Sequence, residues 1–133
     1  MGQYVVKKKD LLYPELSFEI VGCAYEVFKE LGYGHSEKTY QMAMAVLFKE
    51  KQWKFREQVY FPIKFRNVLL KKRFLDFDVD QKIIVELKKD YHFSKAHIDQ
   101  VLEYLKISKL QLAILINFGK EGVDFKRIVN VYD

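Results

Sequence analysis

The sequence holds a single cysteine, Cys23. One thiol makes no intrachain disulfide, and it excludes a cysteine-based zinc cluster. A disulfide-free chain fits a reducing compartment. Cys23 sits among Val21, Ala24 and Val27, which points to a buried, inert thiol. Prolines number two and glycines six, so no linker, repeat or low-complexity stretch divides the chain. Long apolar runs are missing as well. The longest, LAILI at 112–116, is far too short to span a bilayer. The opening MGQYVVKKKD has no apolar core of the kind a secretory signal needs. Met1-Gly2 opens like a myristoylation signal, but Val6 stands where that signal wants Ser or Thr. These absences are expected of a soluble cytoplasmic protein with no membrane partner.

What is present suits one folded domain. The chain has 133 residues, of which 50% are hydrophobic and 16% aromatic. That is domain-sized and rich enough for a core, which excludes global disorder. Residues 1–133 read as a single domain, with about 1–12 as a flexible basic N-terminus. The formal net charge is +5. A moderately basic domain is compatible with nucleic acid without demanding it. The basic clusters are Lys7–Lys9, Lys71-Lys72-Arg73 and Lys88-Lys89. The first reads as a solvated face. The other two flank an acidic stretch.

The apolar periodicity predicts ααβββαββ, an α/β sandwich with a mixed central sheet. A helix over 14–31 starts at Pro14 and stops at the glycines of LGYG. Its buried stripe is expected at Phe18, Val21, Gly22, Tyr25 and Phe28. Ser36 can cap a second helix, about 37–51, with Tyr40, Ala43, Met44, Leu47 and Phe48 inward. Glu37 projects from that inward side. Strands are expected at 54–66, 69–79 and 82–88, with turns at Asn67 and Asp80-Gln81. Pro62 argues for an edge position or a bulge. A helix covers 95–107. The apolar run at 110–118 suits a strand buried on both faces. Gly119 to Gly122 is a turn, and 124–132 the last strand.

The stretch FLDFDVDQKIIVELK, residues 74–88, mixes strand-forming apolar residues with Asp76, Asp78, Asp80, Glu86 and Lys88. Side chains two apart share a strand face. Asp76 and Asp78 therefore share one face, and Glu86 and Lys88 share another. If the strands pair, acidic faces converge beside a lysine. Clustered carboxylates repel, and burial penalises them further. A hard divalent cation removes that penalty. An ammonium nearby can hold a water or stabilise charge developing on phosphate. The plainer reading of Asp76, Glu86 and Lys88 is a surface ion pair of little worth. Asp78 and Asp80 read as solvent or turn residues.

Asp76, followed by Glu86-Leu87-Lys88, resembles the D…(D/E)xK signature of the PD-(D/E)XK nuclease superfamily. Gln100-Val101-Leu102-Glu103-Tyr104 resembles the QxxxY motif of its RecB-type members. Gly34-His35-Ser36-Glu37-Lys38-Thr39-Tyr40 is similar to the GxxExxY motif of a small family within the superfamily. The end, LINFGKEGVDFKRIVN at 115–130, also looks like that family's close. The resemblance runs from about Leu16 to Asn130. It implies a restriction-endonuclease-like αβα sandwich and a metal-dependent nuclease acting on nucleic acid, DNA above all.

The resemblance also implies roles. Asp76 and Glu86 would be metal ligands for Mg²⁺ or Mn²⁺, with Glu37 an added acid near the metal. Lys88 would position or activate the water. Gln100 and Tyr104, four apart on one helical face, would line the site. Lys71, Lys72, Arg73 and Lys89 would attract the phosphate backbone. Family members commonly carry an apolar residue where Asp78 stands. No sequence-reading motif such as a helix-turn-helix is visible. A homodimer is allowed. The competing reading is a catalytically silent binding or interaction module on the same fold.

Overall fold

A computed structural model of the protein describes residues 12–130. The basic cluster Lys7–Lys9 and the Met1-Gly2 pair fall outside them. The elements are α1 (Pro14–Leu31), α2 (Glu37–Glu50), β1 (Phe55–Phe65), β2 (Val68–Val79), β3 (Ile83–Lys88), α3 (Lys95–Ser108), β4 (Leu112–Gly119) and β5 (Gly122–Val129). This is the expected ααβββαββ order, with small shifts at the ends.

The strands form one sheet in the order β1-β2-β3-β4-β5. Only β3 and β4 run parallel. A parallel pair needs a crossover, and α3 supplies it. Helices α1 and α2 pack on one face, where Ile20, Ala24, Met44 and Phe48 meet Phe77, Val85, Leu87 and Ile114. Helix α3 packs on the other, where Ile98, Val101 and Leu105 meet Ile84, Ala113 and Leu115. Every residue from Leu112 to Phe118 is buried, as a strand covered on both faces requires. Pro62 lies on the edge strand β1, one residue before the register slips between Ile63 and Lys64.

Helix α1 corrects one expectation. Its buried positions are Ser17, Ile20, Val21, Cys23, Ala24 and Val27. Phe18 is 80% exposed and Tyr25 50%. Two apolar patterns of the same spacing run along this helix, rotated by about one residue. The sheet takes the one with smaller side chains, because Ala24 and Cys23 let the helix axis approach closely. Cys23 is buried as expected, and burial pushes its thiol up to about 11. No helix among the described residues is long and apolar enough to cross a membrane.

Candidate active site

The β2–β3 turn sets the geometry. Asp80 and Gln81 both adopt left-handed backbone, with φ of 55° and 56°. The Lys82 N–H donates to the Val79 carbonyl at 3.0 Å. Asp80, Gln81 and Lys82 lie between the first paired residues, a three-residue loop whose left-handed backbone suits the twist of paired strands and whose length fixes their register. Val79 pairs with Ile83, Asp78 with Ile84 and Phe77 with Val85. There the ladder stops, and the strands fork. β3 stays with β4 through Lys88 and Asn117, while β2 stays with β1.

Two carboxylates bridge the fork in place of main-chain carbonyls. The Asp76 N–H donates to Glu86 Oε1 at 3.0 Å. The Leu87 N–H donates to Asp76 Oδ2 at 2.7 Å. The pleat of β2 inverts at the same point, because Leu75 and Phe77 enter cores on opposite sheet faces. Opposite Asp76, Gln58 takes a left-handed φ of 48°. Its amide donates to Asp76 Oδ1 at 3.2 Å and to Gln41 Oε1 of α2 at 2.8 Å.

Glu86 is only 5% exposed. Burial, and then the charge of Asp76, push its carboxyl up to about 8. Lys88 Nζ stands 3.6 Å from Glu86 Oε2 and opposes that rise in part. The end of β3 is pinned from β4. Asn117 accepts the Asp90 N–H at 2.7 Å and donates to the Asp90 carbonyl at 2.6 Å. Gly119 makes room for it, since a Cβ there would sit 3.2 Å from Asn117 Nδ2. Sequence reasoning missed Asn117. The signal was a lone amide inside an apolar run.

Two helix starts close on the fork. Ser94 caps α3 by accepting the His97 N–H at 3.2 Å, and the Ser94 N–H donates back to His97 Nδ1 at 3.3 Å. His97 Nε2 lies 3.4 Å from Asp90 Oδ2. Burial, with Lys88 second, lowers the His97 imidazole below its usual range, against the pull of Asp90 and Glu37. Lys88, Glu37 and His97 therefore share one electrostatic neighbourhood.

At the start of α2, Ser36 Oγ accepts the Thr39 N–H at 3.1 Å. Tyr40 is fully buried and stacks on Phe118 at 4.1 Å. Its hydroxyl donates to the Gly32 carbonyl at 2.6 Å and accepts the His35 N–H at 3.4 Å. The tyrosine of the Gly34–Tyr40 motif is thus an anchor for the loop that sets Glu37. Glu37 is half-buried in the first turn, one turn before Gln41. Among the described residues, no three His, Cys, Asp or Glu gather into one metal-sized group, so Glu37 stands apart from Asp76 and Glu86.

Asp78 corrects a second expectation. It is neither solvent-facing nor in the turn, being 3% exposed. The β1 register sets Arg56 opposite it, and Arg56 Nη2 reaches Asp78 Oδ2 at 2.6 Å. Tyr104 joins this pair. Burial, followed by the Asp78 charge, raises its phenol above the usual range, and the Arg56 charge opposes that rise. The Tyr104 ring meets Phe61 edge-on at 4.8 Å. Gln100 is half-buried one turn earlier. Asp80 is a turn residue, 3.2 Å from Lys82 Nζ. Lys71, Lys72 and Lys89 are exposed, whereas Arg73 Nε lies 3.4 Å from Glu103 Oε1 on α3.

The fold brings Asp76, Glu86 and Lys88 together at one fork. His97 feels the charges of both Lys88 and Glu37, and Tyr104 those of Asp78 and Arg56. A family model of the PD-(D/E)XK nuclease superfamily matches residues 14–128. The crystal structure of SSO0001 is similar in fold, with a TM-score of 0.55 and 16% identity over 91% of this chain. The chain spans 59% of that protein's length. No curated protein matches the chain. The architecture is the restriction-endonuclease-like α/β fold of that superfamily.

Proposed function

Because this chain belongs to the PD-(D/E)XK nuclease superfamily, we propose that it is a metal-dependent nuclease hydrolysing phosphodiester bonds of DNA. The observation that carries this reading is the fork itself. Asp76 and Glu86 exchange hydrogen bonds with each other's strand, and Lys88 stands 3.6 Å from Glu86. The motif Gly34–Tyr40 supports membership of the GxxExxY family in particular, since Tyr40 anchors the loop from which Glu37 projects.

The donor set fits a hard divalent cation. Mg²⁺ typically takes one or two carboxylates and keeps several waters. Here two carboxylates share one ammonium, and the more buried of them is pushed up to about 8. Asp76 and Glu86 would hold Mg²⁺, or Mn²⁺, which supplies Lewis acidity toward a phosphoryl oxygen and a more acidic water. Lys88 holds an ammonium at the same place. It orients the attacking water and meets charge developing on phosphate. Glu37, half-buried in the first turn of α2, acts on water and the outer hydration rather than as a third inner ligand. Gln100 contributes an amide to the substrate side. Tyr104 places its phenol near the Arg56–Asp78 pair. Lys71, Lys72 and Lys89, with Arg73 behind them, attract backbone phosphate without reading sequence.

The test is cleavage of single- and double-stranded DNA with Mg²⁺ or Mn²⁺. Glu86→Gln and Lys88→Ala are expected to lose at least about 100-fold in rate. If both variants cleave as well as the parent, the assignment is wrong. A parent that binds DNA but neither cleaves it nor binds metal would be a silent module instead.

A further inference from the structure

The outer part of the β1–β2 hairpin is exposed from Lys64 to Lys72, and its surface is aromatic and basic. Tyr60 and Phe74 are cross-strand partners whose rings stand 5.2 Å apart. They are 47% and 46% exposed, although both are large and apolar. Their inward neighbours Val59 and Leu75 fill the core under α3, so the outer face of the pair is not needed for packing. Phe74 lies two residues before Asp76 on β2. Tyr60 lies two residues after Gln58, whose amide donates to Asp76 Oδ1 at 3.2 Å. Two strand residues span about 7 Å, so the aromatic pair sits one step from the fork.

Along the hairpin itself the charge has one sign, although Arg73 is met by Glu103 of α3. No acidic residue occurs between Gln58 and Leu75, while Lys64, Arg66, Lys71, Lys72 and Arg73 all do. A second copy of this arm would repel the first, whereas a polyanion would be attracted. Flat exposed rings with lysines beside them take successive bases of an unpaired strand, whose faces a duplex hides inside its stack.

We propose that Tyr60 and Phe74 form a stacking platform for an unpaired base next to the scissile phosphate, so that the substrate is single-stranded or locally opened nucleic acid. The inference rests on the nuclease reading for the word scissile, but its test does not need cleavage. Binding of a labelled single-stranded DNA oligonucleotide, and of the same sequence as a duplex, is followed by fluorescence anisotropy in EDTA with full-length protein. Tyr60→Ala and Phe74→Ala are expected to weaken single-strand binding roughly 5- to 100-fold and to leave duplex binding near the parent's. Phe74→Tyr keeps a ring and is expected to restore binding, which separates stacking from a folding defect. Lys71→Ala with Lys72→Ala should flatten the salt dependence by about 0.7 in logarithmic slope for each phosphate that is no longer neutralised. Equal losses on both DNA forms, or no loss with Phe74→Ala, would overturn the platform. So would sedimentation showing a parent dimer that Phe74→Ala dissociates, since the rings would then face a second copy. Failure of the nuclease reading looks different: Glu86→Gln would still cleave, whatever the binding data say.

Discussion

Asp78 and Glu86 lie on adjacent strands of one antiparallel pair, and both are almost out of water, at 3% and 5% exposure. The fold treats them in opposite ways. Asp78 has Arg56 at 2.6 Å, and its charge is met inside the chain. Glu86 has Lys88 at 3.6 Å but also Asp76, so two carboxylates face one ammonium. A buried acid is therefore not a site in itself. A buried acid left short of positive charge is the candidate, because only an outside cation completes it.

The largest expected effect separates the two by sign. Arg56→Ala strands the Asp78 carboxylate in the interior. Breaking a buried pair costs about 3–5 kcal/mol. The Arg56 side chain is 61% exposed, so water offsets part of this and the lower end, about 3 kcal/mol, is expected. It would be read as a lower urea midpoint at unchanged slope. Glu86→Gln does the reverse. It removes a penalised charge while keeping the shape, so the metal-free variant should be more stable than the parent at pH 9. If both variants lose stability alike, the contrast between the two acids is broken.

A pH series sharpens the same contrast. The Glu86 carboxyl keeps its proton up to about pH 8 in the fold, against an ordinary value of 4.5. Between those values the folded chain binds more protons than the unfolded one, so stability must fall as pH rises. Above about 8 the loss is complete and the curve levels. On the proposed reading Mg²⁺ would displace that proton, so its binding should tighten with pH up to the same point. Glu86→Gln should flatten the Glu86 contribution. Chemical denaturation at stepped pH, with and without Mg²⁺, checks this. A metal-free parent whose stability rises through the window would contradict it.

The legible parts of the fold and site were those fixed by short-range pattern. Alternation and a turn near Asp80-Gln81 let the faces of Asp76 and Glu86 converge, and Lys88 follows on the same face of β3; the three-residue loop that sets Asp76 level with Glu86 was not legible. Gly34–Tyr40 reads as a helix start, and Leu112–Phe118 as a buried strand. What was not legible depended on distant partners. Asp78 is answered by Arg56, from another strand and in a register no local pattern reveals. Gln58 and Gln41 reach Asp76 only because the β2 pleat inverts there. On α1, two apolar stripes compete, and only the sheet's shape selects Ile20, Ala24 and Val27 over Phe18 and Tyr25. Tyr40 was legible as an inward residue, but its work on the Gly32 carbonyl needed the loop's path.

The smallest expected effect concerns a second acid–base contact on β2. Arg73 Nε lies 3.4 Å from Glu103 Oε1, with side chains 30% and 38% exposed. Neither atom has an aligned hydrogen bond. Partly exposed pairs of this kind contribute about 0–1 kcal/mol. A double-mutant cycle over Arg73→Ala and Glu103→Ala should therefore give a coupling below about 1 kcal/mol, shrinking with added salt. The same cycle over Arg56 and Asp78 should give a several-fold larger coupling that salt hardly touches. Both pairs involve β2, so strand propensity is nearly held constant, and the burial of the acid is what differs. Equal couplings at the two pairs would mean that burial does not set the strength of these contacts. The reading of Glu86 as an acid awaiting a cation would then lose its physical footing.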